Sequence, residues 1–165
     1  MDDLESTLTL VDESLSNLHE KLAAVCEKID QGKTLVDPED ITGIHLETLY
    51  QKAYDLFQEK QYQEALPLAL QISAFKPTEW RYLFITGMCF QFLGDHEAAA
   101  SFYGFTLMMD PTCTPATFRL AECLLACGDE EKAKQIYEAV VAMGRDVPEY
   151  NQLQDLAQKQ LSALH

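Results

Sequence analysis

FITGMCFQFLGDHEAAASFY (residues 84–103) and FRLAECLLACGDEEKAKQIY (residues 118–137) are one helical hairpin written twice, 34 residues apart. At that shift Phe84 falls on Phe118, Gly87 on Ala121, Phe90 on Leu124, Gly94-Asp95 on Gly128-Asp129, Ala99 on Ala133 and Tyr103 on Tyr137. Stepping back by the same interval finds an earlier copy, with Tyr50, Ala53, Leu56 and Ala65 in the matching columns. Pro77 and Pro111 stand between copies. The recurring small residues mark places where two helices must approach closely. Glycine ends a helix in a left-handed conformation at little cost, and proline stops one helix and permits the next. A repeat of this length, built from paired helical segments, is the mark of a stacked helical array.

Paired helices are therefore expected over 46–59 and 62–75, 80–93 and 96–109, and 114–127 and 130–143. Pro67 lies inside the second of these, where it removes a backbone hydrogen bond and predicts a kink. The last copy has Arg145 where the others have proline. Gly144 can close that helix instead, and Pro148 suits the first turn of another. Tyr150, Leu153, Leu156, Ala157, Leu161 and Leu164 form a one-sided stripe over 148–165. A helix there caps the array, because each repeat leaves an apolar face for the next element to cover.

Ahead of the repeats, Leu4, Leu8, Val11, Leu15, Leu18, Leu22, Val25 and Ile29 step by four and three. That is a heptad seam, ended by Gly32. The chain so divides into an amphipathic helix over 1–32, a linker over 33–45 containing Pro38, repeats over 46–147 and a capping helix. Self-association and folding back onto the first repeat both satisfy the seam. Lys21 and Lys28 face no regular acidic partners, so the flanking charges do not choose.

The composition is that of a folded protein: 47% hydrophobic and 24% charged residues, with a formal net charge of −15. Residues 1–45 alone hold eleven acidic and three basic side chains. Such a field disfavours nucleic acid and anionic membrane, and it can steer a basic partner. No apolar run approaches the roughly 18 residues of a membrane span. Met1-Asp2-Asp3 does not open a signal peptide. Five cysteines in no framework spacing fit a reducing compartment, which makes the cytoplasm the expected location.

Little points to chemistry. His19, His45, His96 and His165 are scattered. Cys123 and Cys127, four apart on one helix, could supply two metal ligands, but no second pair accompanies them. Cys89 shares the column of Cys123 and Leu93 that of Cys127, so these read as packing positions. Glycine-rich phosphate loops, nucleophile elbows and converging Ser/His/Asp sets are missing. Neither metal, cofactor nor enzymatic activity is expected.

What remains is surface. Leu49, Ala53 and Leu56 can face the paired helix, while Tyr50, Tyr54 and Phe57 form a further stripe. The shifted positions are Phe84, Met88 and Gln91, then Phe118, Glu122 and Leu125. Rings and a methionine make an adaptable contact surface for an extended apolar segment. The competing account is that neighbouring repeats bury the stripe.

Over about residues 46–145 these columns resemble the tetratricopeptide family, with three consecutive repeats. The resemblance implies an all-α fold in a right-handed superhelical array. Within that family the chain looks like the class II type III secretion chaperones, which guard translocator proteins in bacterial pathogens. The likeness rests on Leu49-Tyr50, Ala53-Tyr54 and Phe57, on the run Ala121-Glu122-Cys123-Leu124-Leu125, and on Pro148-Glu149-Tyr150. It implies a chaperone of the bacterial cytoplasm that holds a hydrophobic translocator through an extended proline- and leucine-bearing segment. Its groove aromatics would be Tyr50, Tyr54 and Phe57, with Phe84 and Phe118. It further implies a homodimer formed through the N-terminal helix (Leu8, Val11, Leu15, Leu18, Leu22, Val25, Ile29) and no need of a nucleotide. The rival is a general repeat adaptor. One that grips a C-terminal carboxylate would line its groove with cations, and here the inner helices offer chiefly Lys52, Arg81 and Arg119.

Overall fold

The computed structural model describes residues 43–164, with side chains from Leu46. The seam positions Leu8 to Ile29 lie outside the described residues, as does the expected linker up to Thr42.

Seven α-helices follow one another among the described residues: α1 (Gly43–Gln58), α2 (Tyr62–Phe75), α3 (Trp80–Phe92), α4 (His96–Met109), α5 (Thr114–Ala126), α6 (Glu130–Gly144) and α7 (Asn151–Ala163). A short 3-10 turn, Pro148–Tyr150, leads into α7. From α2 onward each helix packs on the next, and α7 reaches back to α5 as well as α6. The first helix starts at Gly43, inside the stretch expected to be linker.

Each hairpin is made by the same joint. Asp95 N–H donates to the Phe90 carbonyl and Gly94 N–H to that of Gln91, both at 3.0 Å. Asp129 and Gly128 repeat the pattern onto Leu124 and Leu125. These crossed bonds need a left-handed residue at the helix end, and Gly94 (φ +89°) and Gly128 (φ +85°) supply it. The aspartate then turns to its other task. Asp95 Oδ1 accepts from Ala98 N–H at 3.0 Å and Asp129 Oδ1 from Lys132 N–H at 3.2 Å, capping α4 and α6. In the first repeat Lys60 and Gln61 occupy these places. Lys60 N–H and Gln61 N–H make the same bonds, to Phe57 and Leu56, and force the lysine to φ +63°. Gln61 makes no side-chain cap.

The small-residue columns do what the spacing predicts. Ala53, Ala121, Ala65, Ala99 and Ala133 have no solvent exposure. Gly87 is more constrained still, since a Cβ there would sit 2.9 Å from Cε1 of the fully buried Tyr103. Three apolar clusters run along the array. Ala53, Ala65, Leu68, Ala69, Ile85 and Cys89 join α1, α2 and α3. Ala99, Tyr103, Cys113, Ala116 and Cys123 join α4 and α5. Phe118, Ala121, Ala133, Tyr137, Val140, Ala157 and Leu161 join α5, α6 and α7. α2 runs through Pro67 from Tyr62 to Phe75; the proline is exposed, and Ala65, Leu68, Ala69 and Ile72 on the other side anchor the helix in the core.

Candidate functional site

The first helices of successive repeats present their matching columns side by side. Between them lies a pocket of about 310 Å³. α1 contributes Tyr50 and Tyr54, and α3 contributes Trp80, Arg81, Phe84, Ile85 and Met88. The far side is Asp110, Thr112, Cys113 and Pro115, with Tyr150 from the 3-10 turn. The volume is at the lower end for a ligand site and the lining is mostly apolar with a few polar tips, the usual composition of a binding cleft.

Tyr50 and Tyr54 stand one helical turn apart with ring centroids 6.3 Å from each other. Tyr50 is half-buried, leaning on Tyr82 at 5.5 Å, whereas Tyr54 is 39% exposed. The Arg81 guanidinium lies 5.2 Å over the Tyr50 ring. It is held there by a two-pronged bond to Glu47, with Nη1 and Nη2 each 3.2 Å from a carboxylate oxygen, and by Nε to Glu79 Oε1 at 3.1 Å. These hydrogen bonds keep Arg81 charged beyond the ordinary guanidinium and hold Glu79 below its usual carboxylate value. Burial pushes the Tyr50 phenol up, with Arg81 pulling the other way. Tyr50 therefore offers an O–H donor at the pocket at any physiological pH.

Four of the expected groove residues thus meet at one pocket: Tyr50, Tyr54, Phe84 and Met88. Phe57 goes elsewhere. It forms an aromatic ledge with Tyr62 and Phe92, ring centroids 5.1 to 5.3 Å apart, and Phe92 is 46% exposed. Gln91 and Glu122 carry a polar chain between α3 and α5. Leu125 is half-buried beside the core of the last repeat. Phe118 does not belong to the groove. It is buried edge-on against Tyr137 at 5.7 Å, in the cluster that α7 closes with Ala157 and Leu161. Column logic treats the repeats as equivalent, but the last one is covered by the capping helix.

Several lining residues were not expected. Pro115 shares a column with Arg81 and with Glu47, which holds Arg81 from outside the lining, one turn before the aromatic column, so the same 34-residue shift could have found it. Trp80 lies at a helix start and carries no repeat signal, and Tyr150, read as part of the capping stripe, reaches the pocket from the 3-10 turn.

Cys123 is a core side chain with no exposure, and burial raises its thiol to about 12. Cys89 behaves alike, also at about 12. Cys127 is exposed at the end of α5, away from that environment. Among the described residues no three His, Cys, Asp or Glu side chains gather to hold a metal ion. No helix among them is long and apolar enough to cross a membrane.

Residues 93–157 match the tetratricopeptide repeat family. The low calcium response locus protein H of Yersinia pseudotuberculosis is 26% identical over 133 residues, which is 81% of this chain and 79% of that protein. The Yersinia enterocolitica chaperone SycD, solved with a peptide of the translocator YopD, superposes with a TM-score of 0.73 at 25% identity, covering 76% of this chain and 95% of that one. SycD has also been solved as an alternative dimer. PcrH of Pseudomonas aeruginosa, bound to the chaperone binding region of PopD, gives a TM-score of 0.72 at 26% identity, covering 76% and 94%.

The fold is an all-α array of tetratricopeptide-like repeats whose inner helices carry an apolar pocket. More narrowly, the chain resembles the class II type III secretion chaperones SycD and PcrH in sequence and in fold, and theirs is a non-enzymatic class.

Proposed function

We propose that the chain holds an extended hydrophobic, proline- and leucine-bearing segment of a type III translocator in the pocket between α1, α3 and α5. Holding it in the bacterial cytoplasm keeps the client from aggregating and ready for export. The observation that carries this reading is the convergence of Tyr50, Tyr54, Phe84 and Met88 on one open apolar cleft, in a fold shared with chaperones solved on translocator peptides. Occupancy is the whole mechanism. An apolar segment covered by rings cannot pair with another copy of itself, and no bond is made or broken.

A general adaptor gripping a C-terminal carboxylate fits less well. Both guanidiniums near the groove already hold carboxylates, Arg81 those of Glu47 and Glu79, and Arg119 that of Glu122.

Co-expression with the translocators of the same secretion system tests the proposal. A stable complex and a soluble client are expected, and a client that stays insoluble beside the folded chain contradicts it. The seam Leu8, Val11, Leu15, Leu18, Leu22, Val25 and Ile29 is proposed to pair two copies before the client arrives. Light scattering should then give the full chain twice the mass per particle expected of one copy, and a chain starting at Lys33 the mass of one. Single-copy mass for both removes the dimer from the account.

A further inference from the structure

A polar chain crosses the groove face one turn beyond the apolar pocket. Arg119 Nη1 donates to Glu122 Oε2 at 2.9 Å, Gln91 Nε2 donates to the same oxygen at 2.9 Å, and the Tyr103 hydroxyl donates to Gln91 Oε1 at 2.7 Å. The direction of every bond is forced. An ionised carboxylate only accepts, so the Gln91 amide must turn its nitrogen to Glu122. Its oxygen then faces Tyr103, which has to donate. Tyr103 is fully buried, so this orientation is set from inside the core.

The chain leaves matched capacity at the surface. Among the described residues Glu122 Oε1 has no partner, and one hydrogen of Gln91 Nε2 and the Nη2 group of Arg119 are also uncommitted. Glu122 and Arg119 side chains keep 30% and 35% of their exposure, so a ligand can reach them. Apolar surface lies on either side. Met88 of the pocket is one turn earlier on α3, and the ledge of Phe57, Tyr62 and Phe92 lies beyond, with Arg119 stacked 5.7 Å over Phe92.

An extended segment laid across rings brings its main-chain N–H and C=O groups with it. Leaving them dry and unpaired costs about as much as a lost hydrogen bond each. Rings cannot satisfy them. Resting on the function proposed above, we propose that Glu122 and Gln91 form a register clamp that pairs with one main-chain unit of the bound segment. Glu122 Oε1 accepts an N–H, Gln91 Nε2 donates to a neighbouring C=O, and Tyr103 and Arg119 position the two. The clamp makes the site selective against proline at one place. The residue opposite Glu122 must carry an N–H, whereas residues in the apolar pocket need none.

The test uses the full chain and the tightest peptide selected on it from a displayed random library, with the dependence of binding on Tyr50 and Tyr54 checked first. Each peptide bond is then replaced in turn by an ester, which removes one N–H and leaves the side chains alone. One ester should weaken binding about tenfold, as expected for a bond to a charged acceptor. Proline at that same residue should weaken it at least as much. In Glu122→Met, which copies the residue at Met88, the same ester should change affinity by less than about twofold. Tyr103→Phe should reduce the ester effect while leaving the contribution of Tyr50 intact. Should Glu122→Met not fold, agreement of the ester and proline positions on the unaltered chain, with Tyr103→Phe, still decides the question. A flat ester scan with a tyrosine-dependent peptide overturns the clamp and leaves the groove standing. Failure to select any tyrosine-dependent peptide overturns both.

Discussion

The Tyr103 hydroxyl donates to Gln91, and 34 residues on the Tyr137 hydroxyl has no hydrogen-bond partner among the described residues. Both rings are fully buried, but Leu125 stands where the acceptor should be. A buried donor without a partner carries its desolvation cost uncompensated. Tyr103→Phe should therefore cost about 1 kcal/mol or more, because it strands the Gln91 oxygen. Tyr137→Phe should leave stability unchanged or raise it slightly. Urea unfolding of the two variants gives the comparison, and equal losses would show that Tyr137 has a partner after all.

Lys60 adopts the left-handed conformation that Gly94 and Gly128 adopt at the same joint. A side chain there is strained, so Lys60→Gly should stabilise by about 0.5–1 kcal/mol. Adding Gln61→Asp restores the missing cap on α2 for about 1 kcal/mol more. Both should raise the melting temperature by a few degrees. A fall on either change contradicts the equivalence of the three joints.

Glu79 is held below its ordinary value, first by its hydrogen bond to Arg81. A depressed carboxylate stabilises the fold above its unfolded pKa, and the contribution is lost as pH falls through the folded value. Glu79→Gln should thus cost about 1 kcal/mol at pH 7, since the pair is only partly buried and solvent screens it. The difference should shrink below about pH 4 and vanish at lower pH. A gap that widens in acid reverses the sign and removes the ion pair as its cause.

Most of the fold was legible because one period governs several kinds of residue at once. Ala53, Gly87 and Ala121 mark close approach, Gly94 and Gly128 mark helix ends, and agreement among these columns placed every repeat helix start within three residues. The site was legible only where repeats are equivalent. Tyr50 and Phe84 share a column and a pocket, but Phe118 shares the column and is covered by α7. An end effect of that kind belongs to the neighbour, not to the periodic position. Phe57 was read as groove and joined Tyr62 and Phe92, partners that its own helix does not announce. Lys60 shows the converse: it stands in the column of Gly94 and Gly128, so the period alone could have marked the strain that the structure places there.

The measurement closest to the central claim is a calorimetric titration of a translocator segment into the unaltered chain and into the Tyr50→Ala/Tyr54→Ala variant, with melting curves for both. Buried aromatic anchors contribute about 2 kcal/mol or more to binding, so affinity should fall at least about thirty-fold. The melting temperature should fall by only a few degrees, because Tyr54 is exposed and Tyr50 half-buried. Leu68→Ala, in the core at 2% exposure, should instead cost about 2–5 kcal/mol of stability. Unchanged affinity in the tyrosine variant, or a loss of stability as large as that of Leu68→Ala, would contradict the groove.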